Sequence, residues 1–178
     1  DRLFGTFRFE GFQDGNNILA PGFGNDVVDG YTGEDTIDLA LDANIYVNLF
    51  KKQAYDTGAG TKIIKNMENV ITGSGNDIIH GNGGANVIFA GDGNDIINPY
   101  AGEDTLIFSG SFGEDIVNGF NVAEDKVELQ DISDYDLSVH QNGVLLTAVT
   151  GSSQLDTILF RNLGSENLEL LDESIFLI

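Results

Sequence analysis

The feature of this sequence that most limits its fold is a nine-residue period in residues 72–107. In steps of nine, these residues read TGSGNDIIH, GNGGANVIF, AGDGNDIIN and PYAGEDTLI. Position four is always Gly, position six is Asp or Asn, and position eight is a branched aliphatic residue. Such a period matches neither a helix nor a flat strand. It fits a six-residue turn followed by a three-residue strand with one inward side chain per repeat.

The same frame recurs on both sides of this segment. Residues 12–38 read FQDGNNILA, PGFGNDVVD and GYTGEDTID, and an offset repeat, GSFGEDIVN, covers residues 110–118. Two repeats make one coil of about eighteen residues, so the pattern predicts an all-β fold, a right-handed parallel β-roll. We expect strands at 18–20, 27–29, 36–38, 78–80, 87–89, 96–98 and 105–107, with the position-eight residues inside.

The residue types of the turn indicate a calcium site. Gly allows backbone angles that turn the carbonyls to one side, and a carboxylate follows two residues later. Calcium accepts six to eight such hard oxygens, and a cation between stacked turns would remove the repulsion of their carboxylates. The alternative is that each Asp only caps its own turn, which would not require the Gly frame.

We therefore predict about three to five calcium ions. The predicted carboxylate ligands are Asp26, Asp35, Asp77, Asp95, Asp104 and Asp115, and Asn17 and Asn86 are predicted as weaker amide ligands. The predicted carbonyl ligands lie near Gly22, Gly24, Gly73, Gly75, Gly91, Gly93 and Gly102. Turns on one side are expected to pair at eighteen residues: Asp77 with Asp95, Asn86 with Asp104, and Asn17 with Asp35. Asp95 is expected to pair with Asp115 despite an insertion.

These residues resemble the RTX (hemolysin-type) calcium-binding nonapeptide, whose pattern is G-G-x-G-x-D-x-U-x. Residues 119–129, GFNVAEDKVEL, resemble the segment that ends such rolls. The sequence departs from the pattern at Tyr31 and Tyr100, and at Pro21 and Pro99, where the family has Gly. The resemblance implies a bacterial protein exported by type I secretion that folds on binding calcium outside the cell. It also implies a secretion signal near the C-terminus.

The chain divides by pattern into two predicted domains. Residues 1–129 form the roll, with repeat blocks at 12–38 and 72–118 and an excursion at 39–71 that lacks the frame until its end. Residues 130–178 form an antiparallel β cap that includes the secretion-signal region. In the cap, Asn142-Gly143 is a dipeptide that favours a type I′ hairpin turn, and Leu168 to Leu171 is predicted as a short helical turn.

Composition excludes several partners. The net charge is −21, with 29 acidic residues against 8 Lys and Arg, which argues against nucleic acid or an anionic membrane. No apolar run approaches the length of a membrane span, and the chain has no Cys. We expect a secreted or cell-surface protein, and a monomeric module within a larger chain because the sequence begins at Asp1 without Met.

Three functions fit these features. The first is a non-catalytic calcium-binding module that stabilises an upstream domain, which itself could be catalytic. The second is a calcium-dependent adhesion or carbohydrate-binding module, for which Lys51, Lys52, Lys62 and Lys65 could contact an acidic polysaccharide or cell-surface ligand; their alternative role is as solvated loop charges. The third is a lyase or epimerase, for which the sequence offers no recognisable catalytic cluster. Apolar residues at position seven form either a covered face or an exposed stripe for a partner.

Overall fold

Short strands follow the turns of the nine-residue frame, as the spacing of the inward aliphatic residues predicts. The computed structural model describes residues 6–10, 15–56, 60–149 and 155–178. Within these ranges the strands are β1 (Thr6–Glu10), β2 (Ile18–Leu19), β3 (Asn25–Asp29), β4 (Thr36–Asp42), β5 (Ile45–Asn48), β6 (Gln53–Asp56), β7 (Gly60–Lys65), β8 (Asn69–Ser74), β9 (Ile78–His80), β10 (Val87–Phe89), β11 (Ile96–Asn98), β12 (Thr105–Ser109), β13 (Glu114–Asn118), β14 (Lys126–Gln130), β15 (Asp134–His140), β16 (Gly143–Val149), β17 (Asp156–Arg161) and β18 (Ile175–Leu177).

The described strands form two sheets. The larger sheet has the order β1-β3-β7-β6-β5-β9-β11-β13-β17-β16-β15, and the smaller has the order β18-β14-β12-β10-β8-β4-β2. Successive repeats alternate between the sheets, so that β9 pairs in parallel with β11 in one sheet and β10 with β12 in the other. The prediction of a parallel β-roll is therefore confirmed.

The core lies between the two sheets, and each repeat contributes one inward side chain to it, at position eight. Ile79 and Ile88 are fully buried and Ile97 is 1% exposed, which agrees with the predicted inward position eight. At position seven, Ile78 and Ile96 are 38% and 36% exposed. Because side chains alternate across a strand, an inward position eight requires an outward position seven.

The predicted excursion is built into both sheets. Strands β5, β6 and β7 lie between β3 and β9 in the larger sheet, and β8 lies between β4 and β10 in the smaller sheet. Strand β6 runs antiparallel to both of its neighbours, whereas β7 pairs in parallel with β3 and β5 with β9. The excursion thus adds buried side chains to the core, among them Val47 and Ile64. Both repeat blocks share the same two sheets.

The C-terminal region also continues the roll. Strand β17 pairs in parallel with β13, and β18 pairs in parallel with β14. The expected antiparallel cap is formed by β15, β16 and β17. A 3-10 turn (Ser165–Asn167) and helix α1 (Leu168–Glu173) precede β18. No helix in the described ranges is long and apolar enough to cross a membrane. The domain boundary near residue 130 stays a prediction.

The hairpin turn of this region differs by one residue from the prediction. His140 pairs with Gly143, so the two-residue loop is Gln141-Asn142 rather than Asn142-Gly143. Gly143 is instead the first residue of β16 and faces the backbone of Phe160, where a Cβ atom would overlap the carbonyl oxygen. Gly is therefore required at residue 143 because β17 lies too close to leave room for a Cβ atom, and not because of the hairpin turn.

Stacking of the turns predicts a sharp difference between two glycines. Gly93 has a φ of +133°, and a Cβ atom there would overlap the carbonyl oxygen of Gly75, one coil earlier. A Cβ atom on Gly83 would meet nothing within 4 Å. We expect Gly93→Ala to lower the free energy of unfolding by roughly 2 kcal/mol or more, and Gly83→Ala to change it by less than about 0.5 kcal/mol.

Urea unfolding of the parent and both variants in one calcium-containing buffer measures this difference. Equal effects of the two substitutions would contradict coil-on-coil stacking at position four.

Candidate metal centres

The position-six residues of successive turns stack into two ladders, one leading into each sheet. The larger-sheet ladder contains Asp77, Asp95 and Asp115, and also Asp26, which β7, β6 and β5 separate from them. The smaller-sheet ladder contains Asn17, Asp35, Asn86 and Asp104, with β8 between Asp35 and Asn86. Apart from Asn17, which is half-buried, each of these residues is at most 2% exposed. Stacking of the turns therefore buries rows of acids, although residues in turns are usually exposed to water.

Each carboxylate is held by the turn before it. The backbone N–H of Asp77 donates to Oδ1 of Asp95 at 2.8 Å, and that of Asp95 donates to Oδ1 of Asp115 at 2.8 Å. In the smaller-sheet ladder, the N–H of Asn86 donates to Oδ1 of Asp104 at 2.8 Å, and that of Asn17 donates to Oδ1 of Asp35 at 2.8 Å. The structure thus brings together all four predicted pairs.

The second carboxylate oxygen is the feature that indicates a bound cation. Among the described residues, a buried Oδ2 atom with no hydrogen-bond partner occurs at Asp35, Asp77, Asp95, Asp104, Asp115 and Asp156. Native proteins leave few buried polar atoms unsatisfied, and a buried carboxylate without a partner is costlier than a neutral group. A cation between the turns would satisfy these atoms, so the residues present fit a metal ion.

The electrostatics of the ladders give the same indication. Burial raises the pKa of Asp95 to about 8; the N–H of Asp77 opposes the shift, and the Asp77 and Asp92 charges add to it. Burial likewise raises the pKa of Asp115 to about 9 and of Asp104 to about 6. Without a cation, Asp95 and Asp115 therefore favour their protonated forms at neutral pH.

The donor set selects the class of metal. The described residues include no group of three His, Cys, Asp or Glu side chains that could hold an ion by themselves. Adjacent turns supply carboxylates in pairs, so other oxygens, such as backbone carbonyls, would complete a coordination shell. The predicted glycines stack accordingly: Gly91 lies against the carbonyl of Gly73, and Gly93 against that of Gly75. A shell of hard oxygens fits calcium, whereas zinc prefers nitrogen and sulfur.

The turn of Asp26 differs from the others. The Nζ atom of Lys62 lies 3.0 Å from Oδ2 of Asp26 and 2.9 Å from the carbonyl oxygen of Gly24. Lys62 is only 2% exposed, so its predicted role as a solvated loop charge or polysaccharide contact is wrong. Asp26 and Gly24 were predicted to bind calcium, and here a lysine ammonium contacts both of them.

The two Asn residues take part in the ladders through their amides. Nδ2 of Asn86 donates to the carbonyl of Glu68 at 2.7 Å, and its Oδ1 accepts from the N–H of Asn82 at 2.9 Å. Nδ2 of Asn17 donates to Oδ1 of Asp35 at 3.0 Å. Their roles as weaker calcium ligands stay predictions.

Departures from the family pattern at position two leave the turn conformation unchanged. Tyr31 and Tyr100 have φ angles of 66° and 78°, close to those of Gly22 and Gly91 at 66° and 89°. A left-handed conformation is unfavourable for Tyr, so the surrounding turn imposes it.

Three further acids join the ladders and escaped the sequence prediction. Oε2 of Glu68 accepts from the N–H of Asp35 at 2.8 Å, and Oδ1 of Asp125 accepts from that of Asp104 at 3.1 Å. Oδ1 of Asp156 accepts from the N–H of Gly113 at 3.2 Å. Glu68 and Asp125 each stand two residues before a buried Val, in MENV and AEDKV, which is the signal that would have found them.

Comparison with known protein families identifies the same repeat. The family described as RTX calcium-binding nonapeptide repeat (4 copies) matches residues 13–46 and 71–106. No curated protein matches the chain. Among solved structures, the chain is similar to the extracellular lipase LipA from Serratia marcescens, with 15% sequence identity and a TM-score of 0.43. The match covers 100% of this chain and 41% of the lipase chain.

The glycine frame, the paired carboxylates and the family match thus lead to one conclusion. Residues 13–46 and 71–106 of this chain are RTX calcium-binding nonapeptide repeats.

Proposed function

We propose that this chain is the calcium-dependent folding module of a secreted bacterial protein, exported by type I secretion, and that it stabilises an upstream domain. The observation that carries the proposal is the set of buried carboxylate oxygens without a hydrogen-bond partner. These atoms make the fold depend on a cation, because each one is removed from water without compensation. The described residues serve structure and calcium binding, and we assign them no catalytic role.

The energies support coupling of folding to calcium. A net charge of −21 opposes compaction, and a core of one inward side chain per repeat is thin. A site with ligand at about 100 times its Kd contributes about 2.7 kcal/mol. Three or four such sites would contribute on the order of 10 kcal/mol, comparable with the stability of a whole domain. At the low calcium concentration of the cytosol this contribution disappears, and the chain would remain unfolded for export.

The first prediction from this proposal concerns folding. In EGTA we expect a largely disordered circular dichroism spectrum without a cooperative thermal transition. In 10 mM calcium we expect a β spectrum with cooperative melting, since calcium neutralises the ladders. A full β spectrum in EGTA that calcium leaves unchanged would contradict the proposal. Magnesium at the same concentration is the control, because it requires smaller, nearly octahedral sites.

The second prediction concerns pH. The raised pKa values of Asp95 and Asp115, about 8 and 9, mean that the calcium-free folded chain binds protons that the unfolded chain has lost above a pKa of about 4. Stability without calcium should therefore fall as the pH rises from about 4 towards 9.

Circular dichroism in EGTA between pH 4 and pH 9 measures this dependence. We expect the β signal of the calcium-free parent chain to be lost as the pH rises, and Asp95→Asn to lose it less steeply, because an amide does not titrate. A calcium-free spectrum that is unchanged over this interval would contradict raised carboxyl pKa values.

A second candidate function, carbohydrate binding, is favoured by a row of aromatic rings on the outer side of the larger sheet. Tyr46 and Tyr55 stack with ring centroids 4.6 Å apart, His80 lies 5.5 Å from Tyr46, and Tyr100 lies 5.8 Å from His80. Tyr55 and Tyr100 are 46% and 52% exposed. Burial, followed by the charge of Lys51, lowers the pKa of His80. Such a row offers apolar ring faces with polar tips to a sugar chain.

Titration with uronate oligomers in calcium tests this second candidate. If it holds, Tyr100→Ala should weaken binding about tenfold, which is the loss of roughly 1.4 kcal/mol. Val139→Ala, at a residue 60% exposed on β15, should leave it unchanged. Absence of binding to the calcium-loaded parent would remove this candidate and leave the folding module intact.

A further inference from the structure

The one buried lysine of the described residues lies in a calcium-type turn. Lys62 stands opposite Asp26 in the parallel pairing of β3 and β7. Asp95 stands opposite Asp77 in the same way, since the residues that follow them, Ile96 and Ile78, are paired. We call two position-six residues that stand opposite each other on adjacent turns a rung. Lys62 therefore occupies the position-six place of its own turn, where the other turns of the frame have an acid or its amide.

The segment around Lys62 is a hidden repeat. Residues 57–65 read TGAGTKIIK, and Ile64, at position eight, is 1% exposed. Gly60 has a φ of +110° and lies against the carbonyl of Gly24, as Gly93 lies against that of Gly75. The N–H of Thr61 donates to Oδ1 of Asn25 at 2.8 Å, and Asn94 donates to Asn76 at 2.9 Å in the same manner. Among the frame positions four, six and eight, only position six departs from the pattern.

The contacts of the Lys62 ammonium are those that a cation would make. It binds one carboxylate oxygen of Asp26, at 3.0 Å, and the carbonyl of a turn glycine, Gly24, at 2.9 Å. Asp26 is absent from the described acids whose Oδ2 atom is buried without a partner. The ammonium thus supplies the compensation that the other larger-sheet acids lack.

The charge balance of the rungs agrees. A rung of two acids, such as Asp77 and Asp95, carries a charge of −2 when ionised, which one divalent cation neutralises. The rung of Asp26 and Lys62 carries −1 and +1 and is neutral by itself. A calcium ion neutralises a rung of two acids, but in the rung of Asp26 and Lys62 it would leave a net positive charge. A buried net charge is unfavourable.

We propose that Lys62 takes the place of a calcium ion in this rung, so that Asp26 and Gly24 are not calcium ligands and the rung forms without calcium. This inference rests on the proposed calcium binding by the other rungs. It implies that the larger-sheet ladder binds calcium only beyond the built-in excursion, from Asp77 onwards, and that its first rung is held by the chain's own cation.

Calorimetric calcium titration of the whole chain tests the inference. Asp26→Asn should bind as many ions as the parent, because Lys62 already serves this turn, and Asp95→Asn should bind at least one fewer. Lys62→Asp should bind one more, because it converts the rung into a pair of acids. Lys65→Met is the matched control: Lys65 is 3.9 Å from Asp29 with a side chain 44% exposed, and its loss should leave the stoichiometry unchanged.

The outcomes separate the two proposals. If the parent binds no calcium, the proposed function fails. If Asp95→Asn and Asp26→Asn each lose one ion, calcium binding stands and the substitution of calcium by Lys62 is overturned. Should Lys62→Asp not fold even in calcium, the comparison of Asp26→Asn with Asp95→Asn decides alone.

Discussion

The structure depends on the electrostatic state of carboxylates that the fold stacks and buries. Coil-on-coil stacking places Asp77, Asp95 and Asp115 in one row, each held through Oδ1 by the N–H of the preceding turn. Their Oδ2 atoms are left without donors. Backbone hydrogen bonds thus position the acids but only partly compensate their burial. Under the function proposed above, calcium supplies the remaining compensation and allows the coils to stack.

The turn and the core impose complementary demands on each repeat. Gly at position four lets one turn lie directly on the next, and the aliphatic residue at position eight fills a core one side chain wide. Neither provides much stabilisation alone, since the core is thin and glycine loses much conformational freedom on folding. The residue at position six then decides how a rung is neutralised, because it faces the space between adjacent turns.

The built-in excursion shows how much variation position six tolerates. Strands β5, β7 and β8 keep the parallel register of the roll. The residues at or next to the ladders are here Ile45, Lys62 and Glu68. Ile45 donates its N–H to Asp77 without adding charge, Lys62 neutralises Asp26, and Glu68 extends the acidic row. The parallel register therefore accommodates an apolar, a basic or an acidic residue at position six, and the charge of each turn is set by that residue.

The sequence by itself determined the nine-residue frame, the parallel roll, the inward residues such as Ile79 and Ile97, and the pairing of Asp77 with Asp95, because each follows from local periodicity and a constant coil length. Only the tertiary structure decided that the excursion lies within both sheets, that Lys62 reaches Asp26, and that Glu68, Asp125 and Asp156 join the ladders. These contacts join residues more than eighteen positions apart or outside the frame. Local patterns cannot specify them, since strand β6 reverses direction and changes which turn follows which in space.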